Sequence, residues 1–208
     1  MTDAKPRWNR RKEARPAEIV DAAIDVFVEN GFAGTKLTEV AQRAGVAKGT
    51  LYLYFETKED LFRAAARQAL ATNLDAIEKV AAGFDGTITD LVPMLLKRAA
   101  GRMGDSRIPA IVRMVLAESR AFPDLARIWH DEVVARVLTL LTRLVAEAQA
   151  RGEVRPGDPK LLALSIAGPM LVGVLFHEVF GAESPFAPDL DALATHHSEA
   201  VLQGIVDR

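Results

Sequence analysis

The residues with the clearest capacity for chemistry lie close together between positions 48 and 54. This stretch combines many hydrogen-bonding groups with little aliphatic surface, which suits a nucleic-acid groove better than a protein core. A lysine can reach a guanine acceptor or a phosphate, and a threonine can meet a thymine methyl or a phosphate. A glycine lets the backbone approach a base edge, and tyrosine hydroxyls can reach phosphates, although half-buried tyrosines with hydrated hydroxyls are the alternative. The residues concerned are Lys48, Gly49, Thr50, Tyr52 and Tyr54.

Two short helices joined by a tight turn are predicted to position this stretch. Thr38 can cap a first short helix that runs to position 44, and Gly45 suits the left-handed residue that ends it. The second helix covers 48–54. Ala41 and Gly45 are small where two crossing helices crowd, and Leu51 can close the angle between them. The spacing therefore indicates a helix-turn-helix, with a plain helical hairpin as the alternative.

Longer helices are predicted on both sides of this motif. Apolar residues at three-to-four spacing indicate a helix from Pro16, at its first position, to Gly31, which is a stop signal. Thr57 is a suitable N-cap for a second long helix that starts at Lys58 and continues to about position 82. Lys58 and the free amides at the start of that helix form a predicted phosphate-binding site.

The composition is that of a globular protein with its own core. The chain has 208 residues, half of them hydrophobic, which is enough for one large or two small domains. It has no cysteine, which excludes disulfides and thiolate metal sites, and the expected location is the cytoplasm. The longest apolar run, 166–176, is shorter than the roughly 18 residues of a membrane span. No membrane partner is expected.

Positive charge is concentrated at the N-terminus, although the formal net charge of the chain is -2. Residues 1–16 carry six basic and two acidic side chains, whereas residues 59–208 are net acidic. A basic arm would confine any contact with a polyanion to this end of the molecule. A solvated tail is the alternative.

The rest of the chain is predicted to be helical. No run of alternating β-branched residues bounded by hairpin turns occurs, so the fold class is all-α, with about nine helices. Glycine- and proline-containing breaks separate the apolar segments. These further segments cover 87–102, 106–121, 123–151, 159–181 and 188–207.

The motif GFAGTKLTEVAQRAGVAKGTLYLYFETKEDLF, within residues 16–62, resembles the DNA-binding domain of the TetR family of bacterial transcriptional repressors. The resemblance implies a homodimer that places the third helix of each subunit in successive major grooves of a palindromic double-stranded DNA operator. It also implies a C-terminal domain that binds a small-molecule effector and releases the DNA. The expected organisation is a basic flexible arm over 1–15, a helix-turn-helix domain over 16–60, and an effector-binding and dimerisation domain over 61–208.

Residue roles carry over from the family by motif position. Thr38 is implied to contact phosphate from the start of the second helix, and Lys58 is implied to hold another phosphate. Two positions depart from the family pattern, since Ala47 replaces a frequent serine cap and Leu53 replaces a polar or aromatic residue. A contact from Leu53 would be apolar or absent. The groove and backbone contacts implied are Lys48, Gly49, Thr50, Tyr52 and Tyr54.

Effector-binding candidates are chosen by residue type, because a pocket in a helical domain is mostly apolar with a few polar groups. Ordinary core packing is the alternative for each methionine and aromatic residue, and a solvated face is the alternative for Arg98 and Glu118. The apolar bias predicts a hydrophobic or aromatic effector. The candidates are Met94, Arg98, Met114, Glu118, Phe122, Trp129, Met170, Phe176 and His177.

The last two helices carry more apolar surface than one subunit needs. Pairing with their copies would form a four-helix dimer interface, and burial within the monomer is the alternative. Gly168 and Gly173 would permit a close approach. The interface candidates are Leu164, Gly168, Leu171, Leu175, Leu193, His197 and Val201.

Other functions are compared with a ligand-responsive repressor. Histidines at 130, 177, 196 and 197 lie beside acidic residues or each other, but no HExxH spacing, nucleophile elbow or phosphate loop occurs. No catalytic residue, metal ligand or cofactor is therefore predicted. The alternatives are a helical protein-binding module and a small all-α enzyme. A DNA reader differs from both because its affinity falls with salt at a slope of about 0.9 per neutralised phosphate.

Overall fold

Helices make up most of the chain that the computed structural model describes, which is residues 7–103 and 107–206, without the side chains at 7–15, 70–73, 76 and 103. Within these residues there is no strand, only an isolated antiparallel bridge between Val154 and Val206. The all-α prediction is confirmed. The elements are α1 (Arg7–Gly34), α2 (Leu37–Arg43), α3 (Lys48–Tyr52), α4 (Lys58–Ala82), α5 (Ile88–Met103), α6 (Arg107–Glu118), α7 (Pro123–Trp129), a π-helical turn (His130–Val134), α8 (Ala135–Ala150), α9 (Pro159–Phe180) and α10 (Leu190–Ile205).

The first helix extends further toward the N-terminus than predicted. It begins at Arg7 and contains Pro16, so the predicted start at Pro16 is wrong. The fixed φ of proline is compatible with a helix, although an interior proline costs one backbone hydrogen bond. Residues 7–15 of the expected basic arm are thus helical, while residues 1–6 and the basic side chains up to Arg15 lie outside the described residues. The stop at Gly31 is confirmed, since φ there is 70° and ψ is 176°.

The N-cap predicted from the sequence is right for α4 and wrong for α2. Thr57 caps α4 as predicted, because its hydroxyl oxygen accepts from the Asp60 amide at 3.0 Å and Asp60 accepts from the Thr57 amide in return. The predicted cap at Thr38 is wrong. Lys36 occupies the N-cap position with extended backbone, and the chain is already helical from Leu37.

The predicted single helix over 123–151 consists of α7 and α8, which the π-helical turn joins without a break. A π-helical turn contains about one residue more than an α-helical turn, so it corresponds to a one-residue insertion into an α-helix. Its residues, His130–Val134, carry no glycine or proline that would have indicated it.

Two hydrophobic cores organise the helices. The first joins α1–α4 with α6 and α7, and it includes Phe27, Phe32 and Phe62 together with Ile111 and Met114 of α6. The second joins α5, α8, α9 and α10 with the end of α4. Both α4 and α6 pack directly on α1. The predicted domain boundary near residue 60 therefore falls inside the first core.

Helix α9 is apolar on sides that its own chain leaves uncovered. Its most apolar window has a mean hydropathy of 1.8 and only 28% of that window is buried, so by length and composition the helix could cross a membrane. Uncovered apolar faces of this size are typical of surfaces that contact another molecule. Its exposed large side chains include Leu161, Leu164, Leu171, Val172 and Val179.

Candidate nucleic-acid interface and its supports

The turn between α2 and α3 depends on one glycine. Gly45 has a φ of 65°, in the left-handed region that glycine adopts without strain. Its amide donates to the Gln42 carbonyl at 3.1 Å, and the Val46 amide donates to the Ala41 carbonyl at 2.9 Å, which closes the end of α2. Leu51 of α3 is fully buried in the first core. The two helices thus form the predicted helix-turn-helix.

The outer side of α3 exposes most of the side chains predicted to contact DNA. Tyr52 is 43% exposed and Tyr54 is 37% exposed, and the Lys48 ammonium lies 5.7 Å from the centre of the Tyr52 ring. A Cβ built on Gly49 would meet no atom within 4 Å, so another surface can approach the backbone closely there. Leu53 is 82% exposed. This surface combines a cation, two phenols and one uncovered aliphatic side chain.

The remaining predicted contacts near this surface differ in exposure. Thr38 is exposed in the first turn of α2, and Thr50 is half-buried in α3. Ala47 is the N-cap of α3 and supplies no side-chain hydrogen bond, as its replacement of serine implies. Thr38 therefore remains available to a phosphate from inside α2 and does not cap it.

Two side-chain links hold α2 against α1. Arg43 donates to the two carboxylate oxygens of Glu29 at 2.5 and 2.7 Å, and these bonds hold the pKa of Glu29 below its ordinary value. Asn30 donates to both oxygens of Glu39 at 3.0 and 3.1 Å. Both links are exposed, so they contribute little to stability. Their effect is to restrict the orientation of α2 relative to α1.

Lys58 does not face solvent in the way a phosphate contact requires. Its ammonium donates to the carbonyl oxygens of Phe32 at 2.6 Å, Thr35 at 3.2 Å and Ala33 at 3.4 Å. It also lies 4.6 Å from the centre of the Phe32 ring. An ammonium has three N–H donors, and all three have acceptors here. The prediction of a phosphate contact is corrected, because Lys58 binds the turn that precedes α2.

Glu118 binds the same turn from α6. Its Oε1 accepts from the Phe32 amide at 3.0 Å and its Oε2 accepts from the Ala33 amide at 2.7 Å. A Cβ built on Gly31 would overlap Oε1, so glycine is needed for this approach. The Phe122 ring lies 5.1 Å from the Phe32 ring. Glu118 and Phe122 thus contact the DNA-binding helices, and their role as effector contacts stays a prediction.

The other effector candidates do not converge on one cavity. Met114 and Trp129 pack in the first core, whereas Met170 is buried in the second. Met94 and Arg98 are exposed on α5. The effector candidates are chosen by residue type, which does not indicate which face of a helix packs on which neighbour. The predicted set therefore contains side chains from different parts of the fold.

The last two effector candidates lie at the end of α9. The rings of Phe176 and Phe180 are 4.8 Å apart, and a ring nitrogen of His177 is hydrogen-bonded to the Pro188 carbonyl oxygen. His177 thereby ties α9 to the segment before α10.

A groove of about 610 Å³ lies between the second half of α4 and α8. Arg136 crosses it and pairs with Asp75 at 2.6 Å and with Glu78 at 3.0 Å. Arg143 makes a longer contact of 3.8 Å with Glu147. The sequence prediction missed this groove, because its two walls are about sixty positions apart and no motif connects them. Its apolar lining comes from Ala82, Ala135 and Leu140, and Lys79 adds a further cation.

The predicted dimer-interface residues of α9 are largely uncovered. Leu164 is 54% exposed and Leu171 is 45% exposed, and a Cβ built on Gly168 would meet no atom within 4 Å. Gly173 has a different role from the one predicted. A Cβ there would lie 2.6 Å from the Leu193 side chain, so Gly173 permits α9 to pack on α10 within one subunit.

The predicted interface residues of α10 are partly used inside the chain. Leu193 and Val201 pack against the second core, and a ring nitrogen of His197 lies 3.1 Å from the carbonyl oxygens of Ser165 and Ile166. Leu175 of α9 is half-buried. The larger uncovered apolar face therefore belongs to α9.

Across the described residues, no group of three or more histidine, aspartate or glutamate side chains could hold a metal ion. His130 pairs with its neighbour Asp131 at 2.8 Å in an exposed position, while His177 and His197 bind backbone carbonyls. Each of these histidines thus has a local structural contact.

Two family models match the chain. The model described as "Bacterial regulatory proteins, tetR family" covers residues 19–65, and the model described as "Tetracyclin repressor-like, C-terminal domain" covers residues 85–203. The first match includes α2, α3 and Lys58. The second includes α6 with Glu118 and the uncovered face of α9.

Relatives of similar length support the same assignment. The fatty acid metabolism regulator protein of Bacillus subtilis is 25% identical over 197 residues, which is 94% of this chain and 98% of the relative. The crystal structure of the B. subtilis regulator FadR in complex with stearoyl-CoA has a TM-score of 0.78 at 25% identity, covering 91% of this chain and 98% of that one. The crystal structure of a putative TetR-family regulator from Mesorhizobium loti has a TM-score of 0.78 at 25% identity, covering 98% of this chain and 100% of that one.

Proposed function

Because the chain belongs to the TetR family and is a DNA-binding transcriptional regulator, we propose that it acts as a homodimeric, ligand-responsive repressor at a palindromic operator. The observation that carries this proposal is the exposed side of α3. A short helix that offers Lys48, the open Gly49 and Tyr52 to solvent, with Leu51 buried beneath it and the exposed Tyr54 in the turn that follows, suits entry into a groove.

The proposed contacts follow the geometry of α3. Lys48 reaches a guanine acceptor or a phosphate, Gly49 allows the backbone close to a base edge, and the phenols of Tyr52 and Tyr54 bind phosphates. Leu53, which is 82% exposed, meets a thymine methyl or a sugar. Thr38 and Thr50 add further hydroxyl contacts to the phosphate backbone. Lys58 is left out, since its three donors are occupied.

The proposed dimer forms through α9. Its uncovered leucines and valines lie on a helix that is otherwise packed on α8 and α10, and a second copy of the same face would cover them. The open position at Gly168 allows two copies of α9 to approach closely. Leu175 and the α10 residues Leu193, His197 and Val201 lie at the edge of this interface.

The proposed effector is a small, mainly hydrophobic molecule with an anionic group, bound in the groove between α4 and α8. About 610 Å³ falls in the range of roughly 300–1,000 Å³ typical of ligand sites. The groove combines apolar lining with three cations, of which Arg136 is paired with the carboxylates of Asp75 and Glu78, while Lys79 and Arg143 are the further cations that could meet an anionic group. The solved FadR neighbour is a complex with stearoyl-CoA, which has this amphipathic, anionic character and is the compound to try first.

Effector binding would act on DNA affinity through α4. This helix lines the groove, and its start carries the residues that pack in the first core with α1 and α3. A ligand between α4 and α8 competes with the Arg136 ion pairs and favours a different separation of the two reading helices. The shift is bounded by the ligand's differential affinity for the two arrangements.

Fluorescence anisotropy with labelled DNA from upstream of the protein's own gene tests the DNA-binding part. The wild-type dimer should bind with an affinity that falls steeply with salt. Lys48→Ala and Tyr54→Ala should each abolish the rise in anisotropy, whereas Lys97→Ala, at an exposed position on α5, should leave it unchanged. Unchanged binding by Lys48→Ala would show that α3 does not read the DNA.

Titration of the protein–DNA complex with stearoyl-CoA tests the effector part. The concentration needed for half release should rise about tenfold in Arg143→Met, since the variant cannot form a charge-assisted hydrogen bond with the anionic group. Lys97→Met is the matched control, because it removes an exposed cation outside the groove. If both variants released the DNA at the same stearoyl-CoA concentration, the effector would have to bind outside this groove.

A further inference from the structure

The turn at residues 31–35 connects the long part of α1 to the reading helices. Gly31 interrupts α1, and the chain resumes a helical turn at Phe32. The first amides of such a turn have no acceptor within it and require one from elsewhere. Glu118 supplies it, with one carboxylate oxygen on the Phe32 amide and the other on the Ala33 amide. The residue that caps this turn thus lies 85 positions later in the chain, on α6.

The same turn is held from two other directions. Lys58 of α4 donates to its carbonyl oxygens, and the Thr35 hydroxyl donates to the Gly31 carbonyl at 2.6 Å from a position that is 3% exposed. The next residue, Lys36, is the N-cap of α2. The position at which α2 starts is therefore fixed by polar groups from α4 and α6, and the α6 group belongs to the regulatory part of the chain.

The first core keeps α6 in register with this turn. Ile111, Met114 and Val115 of α6 are buried with Phe32, and the Phe122 ring packs on the Phe32 ring at 5.1 Å. Close packing of this kind transmits a displacement because the side chains cannot deform continuously. A shift of α6 is thus passed on to the turn that Glu118 holds, and with it to the start of α2.

We propose that Glu118 is a positioning residue for DNA binding: it holds the 31–35 turn in the arrangement that lets α2 and α3 enter the groove. The proposal rests on the proposed function, since DNA affinity is its principal readout. DNA-binding competence then requires α6, and helices α1–α4 alone do not form the complete reading unit.

The direction in which DNA affinity changes when the Glu118 charge is removed distinguishes a positioning role from a purely electrostatic one. Removing a carboxylate from a DNA-binding protein strengthens binding to a polyanion if charge alone matters. Glu118→Gln removes that charge and also leaves one of the two amides facing an N–H₂ group instead of an acceptor. A positioning role therefore predicts weaker binding, by about tenfold, against the electrostatic trend.

The experiment compares full-length Glu118→Gln with Glu132→Gln. The control also removes a carboxylate that joins the regulatory part to the DNA-binding helices, since Glu132 binds Arg67 of α4 at 2.7 and 2.8 Å, but it does not touch the turn. Anisotropy with the upstream DNA gives affinity and salt slope. Hydrogen exchange of the Phe32 and Ala33 amides reports the cap, and sedimentation reports the dimer.

The proposal expects Glu118→Gln to exchange faster at Phe32 and Ala33, to bind about tenfold more weakly than Glu132→Gln, and to keep the wild-type salt slope. Equal DNA affinity of the two variants, with faster exchange in Glu118→Gln, would overturn the role of Glu118 while wild-type binding still supports the proposed function. Wild-type protein that fails to bind the DNA would overturn both. If Glu118→Gln does not fold, Glu118→Asp keeps the charge and shortens the side chain, and weaker binding is again expected, with unchanged binding as the contrary result.

Discussion

Replacing Lys58 with methionine separates a structural lysine from a phosphate-binding one. Methionine keeps the apolar stem but removes three hydrogen bonds, of which the bonds to Phe32 at 2.6 Å and Thr35 at 3.2 Å are partly buried and the bond to Ala33 at 3.4 Å is exposed. A hydrogen bond to a charged group contributes about 1.5–3 kcal/mol, and a cation over a ring adds about 0.5–1 kcal/mol.

The expected decrease in stability is near the low end for one such hydrogen bond plus the ring contact, because water can reach the freed carbonyls of a half-buried turn and offsets most of the loss. We expect about 2 kcal/mol, which corresponds to a fall in Tm of about 4–8 °C for a chain of this length. The salt slope of DNA binding should not change, since Lys58 neutralises no phosphate.

Thermal unfolding by circular dichroism, together with anisotropy at several salt concentrations, measures both quantities. Lys48→Met is the matched control, since Lys48 is exposed on α3. It should keep the wild-type Tm but lose DNA binding, because it removes the cation on the surface that is proposed to contact the DNA. A Lys58→Met protein with an unchanged Tm and a shallower slope would refute the structural role and restore the phosphate contact.

Three further predictions address the core, the turn and the dimer. Phe32→Ala should lower the free energy of unfolding by about 3–5 kcal/mol, because the buried Phe32 ring packs against Phe27, Phe62 and Phe122. Chemical denaturation measures this change, and a decrease of less than about 1 kcal/mol would contradict the prediction. Gly45→Ala should cost about 1–2 kcal/mol through its positive φ alone, since a Cβ there meets no atom; an unchanged denaturation midpoint would mean the turn adopts another conformation. Leu171→Glu should convert the dimer to a folded monomer in analytical ultracentrifugation, and a dimer that persists would place the interface away from this face of α9.

Local signals predicted the motif well. Thr57 and the acidic residues after it determine where α4 begins, and Gly45 determines where α2 ends, because caps and left-handed residues act over a few positions. The exposed side of α3 followed from its lack of aliphatic residues. These features depend on neighbours in the chain, so the sequence reports them directly.

The supports of the motif depend on distant backbone groups and could not be predicted in the same way. Lys58 binds carbonyls 23 to 26 positions away, and Glu118 binds amides 85 and 86 positions away. No side-chain pattern marks a backbone acceptor or donor. The groove around Arg136 has the same origin, since its walls meet only when α4 and α8 pack together.

Footprinting of the wild-type dimer on its upstream DNA tests whether α3 reads a palindromic operator. Two protected half-sites are expected, with centres about one helical turn, or a small multiple of it, apart, and no protection is expected from Lys48→Ala at a concentration where that variant is still dimeric. Protection that is uniform along the DNA, or identical for wild type and Lys48→Ala, would contradict the claim that α3 reads a palindromic operator.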